Sequence, residues 1–327
     1  MLKEIFDKNP NIIINNDIDG FLSGMVLQNY CGCKIVGFSN SKNQVWVTPE
    51  VESIYDPVYI DMYVNRPEVV CIDQHVVADT QERLNKILGY GTKFNPNLQL
   101  APRTLEKNYG KKYPFGTVHY LISLLGNEGI DVELDNLTKG VFVEAKGKKY
   151  RTCPGQLLLR ADDALYNTLV AYRENSSEWW ERLNTCASIQ KIVDYINSCA
   201  PEKAVAYENN IGKIFMELGC RQNKLKSKRD NRVFTDSDGS FERITDNNIP
   251  GRSGRINGEI LQFIAKIGAI MGMKMDVPDT YILHKAEIMD RSAPEGIIDA
   301  EDLFSYAFVA GPYKRENCFS YTRGMRD

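Results

Sequence analysis

The sequence predicts a mixed α/β protein built on a parallel sheet, and three observations lead there. Over the first 75 residues short apolar segments alternate with helix-patterned ones, as parallel strands joined by crossover helices do. The strand-like segments are apolar throughout, which suits strands covered on both faces. The composition, 43% hydrophobic and 25% charged over 327 residues, is that of an ordinary globular protein. Chains of this length tend to divide, so a larger parallel-sheet domain at 1–200 and a smaller α+β domain at 201–327 are expected.

Taken in order, residues 11–15 (NIIIN) read as a buried strand and, after a polar turn, residues 20–30 carry apolar side chains at helical spacing. Further short strands are expected at 34–38, 57–60 and 69–72. Residues 89–114, rich in Gly, Asn, Pro and Lys, read as a long loop of the kind that often covers a site. Amphipathic helices follow at 115–125, 155–172 and 178–198, interrupted by a hairpin of 141–144 and 148–151 about Ala145-Lys146-Gly147. The run 221–232 (RQNKLKSKRDNR) is nearly devoid of apolar residues and reads as an interdomain linker rather than a nucleic-acid grip. Beyond it come a hairpin turning at Asp238-Gly239, a glycine-rich segment at 251–258, a helix at 258–271 and strands at 281–289, 304–309 and 318–321.

Composition excludes several function classes. A net charge of −3 creates no global field to gather nucleic acid or an anionic membrane. The apolar runs fall short of the ~20 residues of a spanning helix, and the N-terminal segment carries charges of both signs, so a cytoplasmic protein without a membrane partner is expected. Eight scattered cysteines read as reduced thiols. Only His75, His119 and His284 are histidines, so any metal site must rely on carboxylates, which suit hard cations. His119 and His284 read as structural groups, and Trp179-Trp180 as a packing anchor.

The chemically informative segment is Asn15-Asn16-Asp17-Ile18-Asp19-Gly20, which places two carboxylates after the first strand, at the edge where α/β sheets bind ligands. Asp236-Ser237-Asp238-Gly239 has the same letters but lies between strand-like residues, where a hairpin turn explains it. Asp17-Ile18-Asp19-Gly20 is set apart by its company. Asp61 ends the third strand (VYID) and Asp73 the fourth (VCID), followed by Gln74 and His75, so three strands deliver aspartates to one edge. Carboxylates gathered so closely repel one another unless a cation lies between them.

These motifs resemble those of the DHH phosphoesterase superfamily, which includes RecJ-type exonucleases, nanoRNases, cyclic-dinucleotide phosphodiesterases and family II inorganic pyrophosphatases. Asp17-Ile18-Asp19-Gly20 is similar to the first motif, Asp61 to the aspartate of the second, and Asp73-Gln74-His75 stands where the namesake Asp-His-His would be. Tyr113-Pro114-Phe115-Gly116-Thr117 is similar to the stretch after the third motif, and Asp162 and Asp163 are candidates for the fourth. The resemblance spans about residues 10–175. It implies two Mn²⁺ or Mg²⁺ ions held by Asp17, Asp19, Asp61, Asp73 and one of Asp162 or Asp163, with His75 contacting the phosphate or assisting proton transfer beside Asp73. Gln74 and the arginines of the glycine-rich segment, Arg252 and Arg255 with Ser253, would face the substrate, which is expected to be a nucleotide or short oligonucleotide. The departures are Gln74, where a metal-binding histidine is usual, and Asn15, where RecJ-type members carry a further acid. The implied activity is metal-dependent phosphoester hydrolysis. The alternatives are a degenerate member that binds a nucleotide or protein, and a pyrophosphatase or polyphosphatase. The oligomeric state stays open, with a homodimer among the options.

Overall fold

A computed structural model of the chain describes residues 2–40, 43–145, 147–160, 177–183, 186–198, 258–290, 296–308 and 319–325, with short strand segments at 220–221, 226–227, 241–242 and 253–256. The architecture is mixed α/β. Helix α1 (Leu2–Lys8) leads into β1 (Asn11–Asn15), and α2 (Ile18–Cys31) crosses from there to the parallel β2 (Lys34–Ser39). The chain doubles back in β3 (Gln44–Val47), antiparallel to β2, and returns on the other side of β1 as the parallel β4 (Val58–Ile60). Outward of β4 lie β5 (Cys71–Ile72) and β6 (Lys93–Phe94), also parallel. With parallel neighbours entered in opposite directions, β1 is the topological switch point, and the crevice beyond its carboxyl end is where such sheets bind ligands.

The apolar run of β1 is fully covered, and α2 is buried along residues 18–27. Gly24 lets α2 lie directly on β1, because a Cβ there would stand 2.9 Å from Ile14 Cγ2. Gly32, in the left-handed conformation at φ 66°, closes the helix by returning its N–H toward Leu27.

The region expected as one long loop is more ordered than its composition suggests. After α3 (Gln81–Gly89) it contains β6, the short helix α4 (Pro96–Gln99) and a 3₁₀ turn at Tyr109–Lys111. Helix α5 (Thr117–Asn127) and the hairpin β7 (Val141–Ala145) and β8 (Lys148–Thr152) follow as expected. Helix α6 (Pro154–Arg160) begins where predicted, and residues 161–172 of that expected helix lie outside the described residues. The helix expected at 178–198 is two helices, α7 (Ser177–Arg182) and α8 (Ala187–Ser198). The second is started independently by Asp131, whose Oδ1 accepts the Ser188 N–H at 3.2 Å. Trp179 is buried and Trp180 stacks on Phe115 at 3.8 Å, consistent with their anchor role.

In the C-terminal part, β9 (Cys220–Arg221) and β10 (Lys226–Ser227) pair, among the described residues, only with each other, while β11 (Phe241–Glu242) pairs with β12 (Ser253–Ile256). The glycine-rich segment is therefore strand over 253–256. The Asp238-Gly239 turn lies outside the described residues. Helix α9 (Gly258–Met271) occupies its expected span. The long strand β13 (Thr280–Asp290) joins β12 to the N-terminal sheet by pairing antiparallel with β3, from Ile282 opposite Val47 to Lys285 opposite Gln44. Last come β14 (Leu303–Phe308) and β15 (Phe319–Met325), the latter pairing with β13 and β14. Among the described residues this gives an eleven-stranded sheet in the order β11-β12-β13-β3-β2-β1-β4-β5-β6, with β15 and β14 attached at β13.

The same apolar core holds both ends of the chain. Phe263, Ile264, Ile267 and Ile270 of α9 and Tyr281 and Leu283 of β13 are buried with Ile12 and Ile14 of β1. Phe21 meets Phe263 at 5.5 Å and Phe38 meets Tyr281 at 5.5 Å. At about 1.5–3 kcal/mol per buried large side chain, those six residues contribute on the order of 10 kcal/mol of gross burial. No helix among the described residues is long and apolar enough to cross a membrane.

Candidate metal centre

Three parallel strands place their following aspartates at the switch-point crevice. Asp17 comes two residues after β1, Asp61 directly after β4 and Asp73 directly after β5. Asp61 and Asp73 keep the ladder going with their own backbone, Asp61 N–H donating to Ile72 O at 2.8 Å and Asp73 N–H to Phe94 O at 3.0 Å. Their side chains are thus delivered from fixed points. Asp61 has a left-handed backbone, φ 62°, which costs a non-glycine residue about 1 kcal/mol or more and persists only where its surroundings impose it. Here the constraint is on the carboxylate, since Oδ1 accepts the Thr117 hydroxyl at 2.8 Å and Oδ2 the Asn15 amide at 2.9 Å.

Asp17 and Asp19 divide the work of the first turn. Asp17 caps α2, its Oδ1 accepting the Gly20 N–H at 3.1 Å, and its Oδ2 accepts the Asn15 amide at 2.9 Å. Asp19, buried, reaches the start of α5: Oδ2 accepts the Thr117 N–H at 2.6 Å and Oδ1 the Val118 N–H at 2.9 Å. A carboxylate so placed meets unpaired helix N–H groups and the positive end of the helix dipole. Gly116 is required there, because a Cβ would stand 2.8 Å from Asp19 Oδ1.

Asp73, Gln74 and His75 are held by two buried asparagines. Asn95 donates to His75 O at 2.7 Å, and Asn97 donates to Gln74 O at 2.7 Å while accepting the Tyr113 N–H at 2.8 Å. His75 Nδ1 lies 2.7 Å from Asp73 Oδ1, with the Asp73 side chain 2% exposed and that of His75 36%. The ring thus stands at the rim of the cluster with the carboxylate beneath it. Asp61, Asp73 and His75 each offer a ligand atom within 4.8 Å of the others.

Electrostatics follow from this crowding. The Asp61 carboxyl is held well above its ordinary range, first by burial and then by the negative charges of Asp19, Asp17 and Asp73, against the Asn15 hydrogen bond. A buried group of like charges is relieved either by protonation or by a cation. Two carboxylates and an imidazole form a donor set suited to Mn²⁺, and to Mg²⁺ mainly through the carboxylates.

The structure brings together Asp17, Asp19, Asp61, Asp73, Gln74 and His75. Asp162, Asp163 and Arg252 lie outside the described residues. Ser253 and Arg255 sit on β12, whose path to β1 crosses β13, β3 and β2, about 19 Å away along the sheet at ~4.8 Å per step. Asn95 and Asn97 were not legible as site residues from the sequence, Thr117 stood out only within the motif-like stretch 113–117, and Asn15 only as a lost charge. The available signal was Asn95-Pro96-Asn97, a helix-start pattern directly after a strand. His119 is structural as expected, fully buried with Nδ1 accepting the Gly116 N–H at 3.1 Å, and burial pushes its pKa down to about 4.

Compared with known proteins, the chain matches no family model, no curated protein and no solved structure.

Proposed function

We propose that the protein is a metal-dependent phosphoesterase that hydrolyses a phosphodiester or phosphomonoester in a nucleotide or short oligonucleotide. The observation that carries this is the convergence of Asp61, Asp73 and His75 within 4.8 Å at the switch-point crevice, with Asp17 and Asp19 alongside. Asp61, Asp73 and the His75 ring would hold the cation, Mn²⁺ or Mg²⁺. When bound, the ion would polarise the phosphoryl group and lower the pKa of water enough to supply hydroxide for attack on phosphorus near neutral pH.

The chain's own residues supply orientation. Asn95 and Asn97 fix the backbone carbonyls of His75 and Gln74, and Asp73 sets the angle of the imidazole. His75 Nδ1 and Asp73 Oδ1, 2.7 Å apart, are close enough to be adjacent ligands of one ion, which favours a ligand role for His75 over proton transfer. Gln74, half-buried and adjacent to His75 in the chain, would offer an amide N–H to a phosphate oxygen. The motif resemblance supports the same chemistry.

A second function is favoured by specific residues. Gln74 and Asn15 each put an amide where the resembled motifs carry a ligand or an acid, which suits a nucleotide-binding protein that no longer hydrolyses. The test is a Mn²⁺-supplemented screen of short RNA and DNA oligomers, cyclic dinucleotides, 3′-phosphoadenosine 5′-phosphate and pyrophosphate, for the wild type and Asp73→Ala. Turnover of one substrate class, lost in the variant, is the expected result. Turnover of pyrophosphate alone would move the substrate class, and silence across the panel would leave the binding function.

A further inference from the structure

The resembled motifs imply two ions, yet most of the oxygens that would hold a second one already face hydrogen-bond donors. Asp19 accepts an N–H of the first turn of α5 on each oxygen, from Thr117 at 2.6 Å and Val118 at 2.9 Å. Asp17 accepts Gly20 N–H on Oδ1 and the Asn15 amide on Oδ2. The same Asn15 Nδ2 donates to Asp61 Oδ2 at 2.9 Å. A single amide nitrogen thus bridges Asp17 and Asp61, as a cation shared by the two carboxylates would. It carries two N–H donors and no lone pair for a metal, so a cation between those carboxylates would meet the positive end of the amide dipole.

Charge points the same way. Asn15 in place of an acid removes one negative charge from the cluster, and the N-terminal N–H groups of α5 add partial positive charge against Asp19. Asp61 also accepts a donor on each oxygen, from Thr117 and Asn15, but Asp61, Asp73 and His75 still offer ligand atoms within 4.8 Å of one another, a grouping that takes in neither Asp17 nor Asp19. Resting on the proposed metal-dependent function, we infer that the chain binds one divalent cation, at Asp61, Asp73 and His75, and that the Asn15 amide and the start of α5 together replace the second. The class this defines is a mononuclear centre in a binuclear framework.

The inference is tested on the full chain, stripped with chelator and dialysed against Mn²⁺. Elemental analysis reads ions per chain, and low-temperature electron paramagnetic resonance reads whether neighbouring ions are coupled. One ion per chain with the hyperfine spectrum of isolated Mn²⁺ is expected for the wild type. Asn15→Asp, which restores the acid and removes both N–H donors, should take up a second ion and show an exchange-coupled spectrum. Two coupled ions in the wild type would overturn this inference and leave the phosphoesterase proposal standing. No bound ion would overturn both. Asn15→Asp folded but still holding one ion would remove Asn15 from the account, and if that variant does not fold, the wild-type count and spectrum decide alone.

Discussion

Two glycines hold the acidic cluster together by having no side chain. A Cβ on Gly20 would fall 2.1 Å from Asn15 O, a backbone atom that cannot move without displacing the end of β1. Gly20→Ala should therefore cost about 3 kcal/mol, at the upper end of overpacking penalties, and urea denaturation would measure it. Gly116→Ala presses on the Asp19 carboxylate, which can move only by loosening its hydrogen bonds to Thr117 and Val118, so a loss of about 1–3 kcal/mol is expected. His119 gives a pH signature. Its folded pKa of about 4 lies below the ordinary 6.5, so on acidification the unfolded ring takes up a proton that the buried one refuses. The stability His119 contributes is complete above pH 6.5 and is lost as pH falls from there toward 4, about 2 kcal/mol by pH 5. Urea titrations of wild type and His119→Gln at pH 7 and pH 5 should differ by that amount, and parallel profiles would contradict it. At this scale the aspartates were legible because each follows an apolar strand. The donor role of Asn15 and the left-handed backbone of Asp61 were not, since their causes lie 46 and 56 residues away in sequence, in the Asn15–Asp61 and Thr117–Asp61 hydrogen bonds.

At the scale of elements, the connection between β5 and α5 does more than its composition implies. Asn97 alone ties Gln74 O, Tyr113 N–H and the Asn95 side chain, and Arg103 N–H returns to Asn97 O at 2.8 Å. Arg103 itself lies 5.2 Å from the Trp179 ring and reaches Glu178, fastening this segment to α7. Asn97→Ala strands two buried backbone groups, so a loss of about 2–4 kcal/mol is expected together with weakened Mn²⁺ binding, readable by denaturation and by metal titration. A segment rich in Gly, Asn, Pro and Lys reads as loop because its order comes from side-chain-to-backbone bonds rather than apolar periodicity. Periodicity also ran α7 and α8 together, since both carry helical spacing and the signal that separates them is Asp131, far back in the chain. Strand β3 (QVWV) escaped notice, whereas α2 and α9 stood out through long apolar patterns.

At the scale of the molecule, β13 and α9 complete what the first half of the chain starts. Without β13, β3 presents an open edge, and the faces of Phe21 and Phe38 lose Phe263 and Tyr281. A chain ending at residue 200 is expected to self-associate through that edge, seen as a concentration-dependent mass in light scattering, and a monodisperse, cooperatively folding fragment would contradict it. The α/β character and the parallel order around β1 were legible from sequence. The joining of the C-terminal strands to β3 was not, because antiparallel pairing across 230 or more residues leaves no local pattern. The central claim is that Asp61, Asp73 and His75, at the ends of two parallel strands, form an ion-binding centre, and thermal unfolding of wild type and Asp61→Asn with and without millimolar Mn²⁺ tests it most directly. An ion held about a hundredfold above its dissociation constant adds about 2.7 kcal/mol to the native state. The account predicts a rise of several degrees in the Tm of the wild type that Asp61→Asn abolishes; an unchanged wild-type Tm, or an equal rise in both proteins, would contradict it.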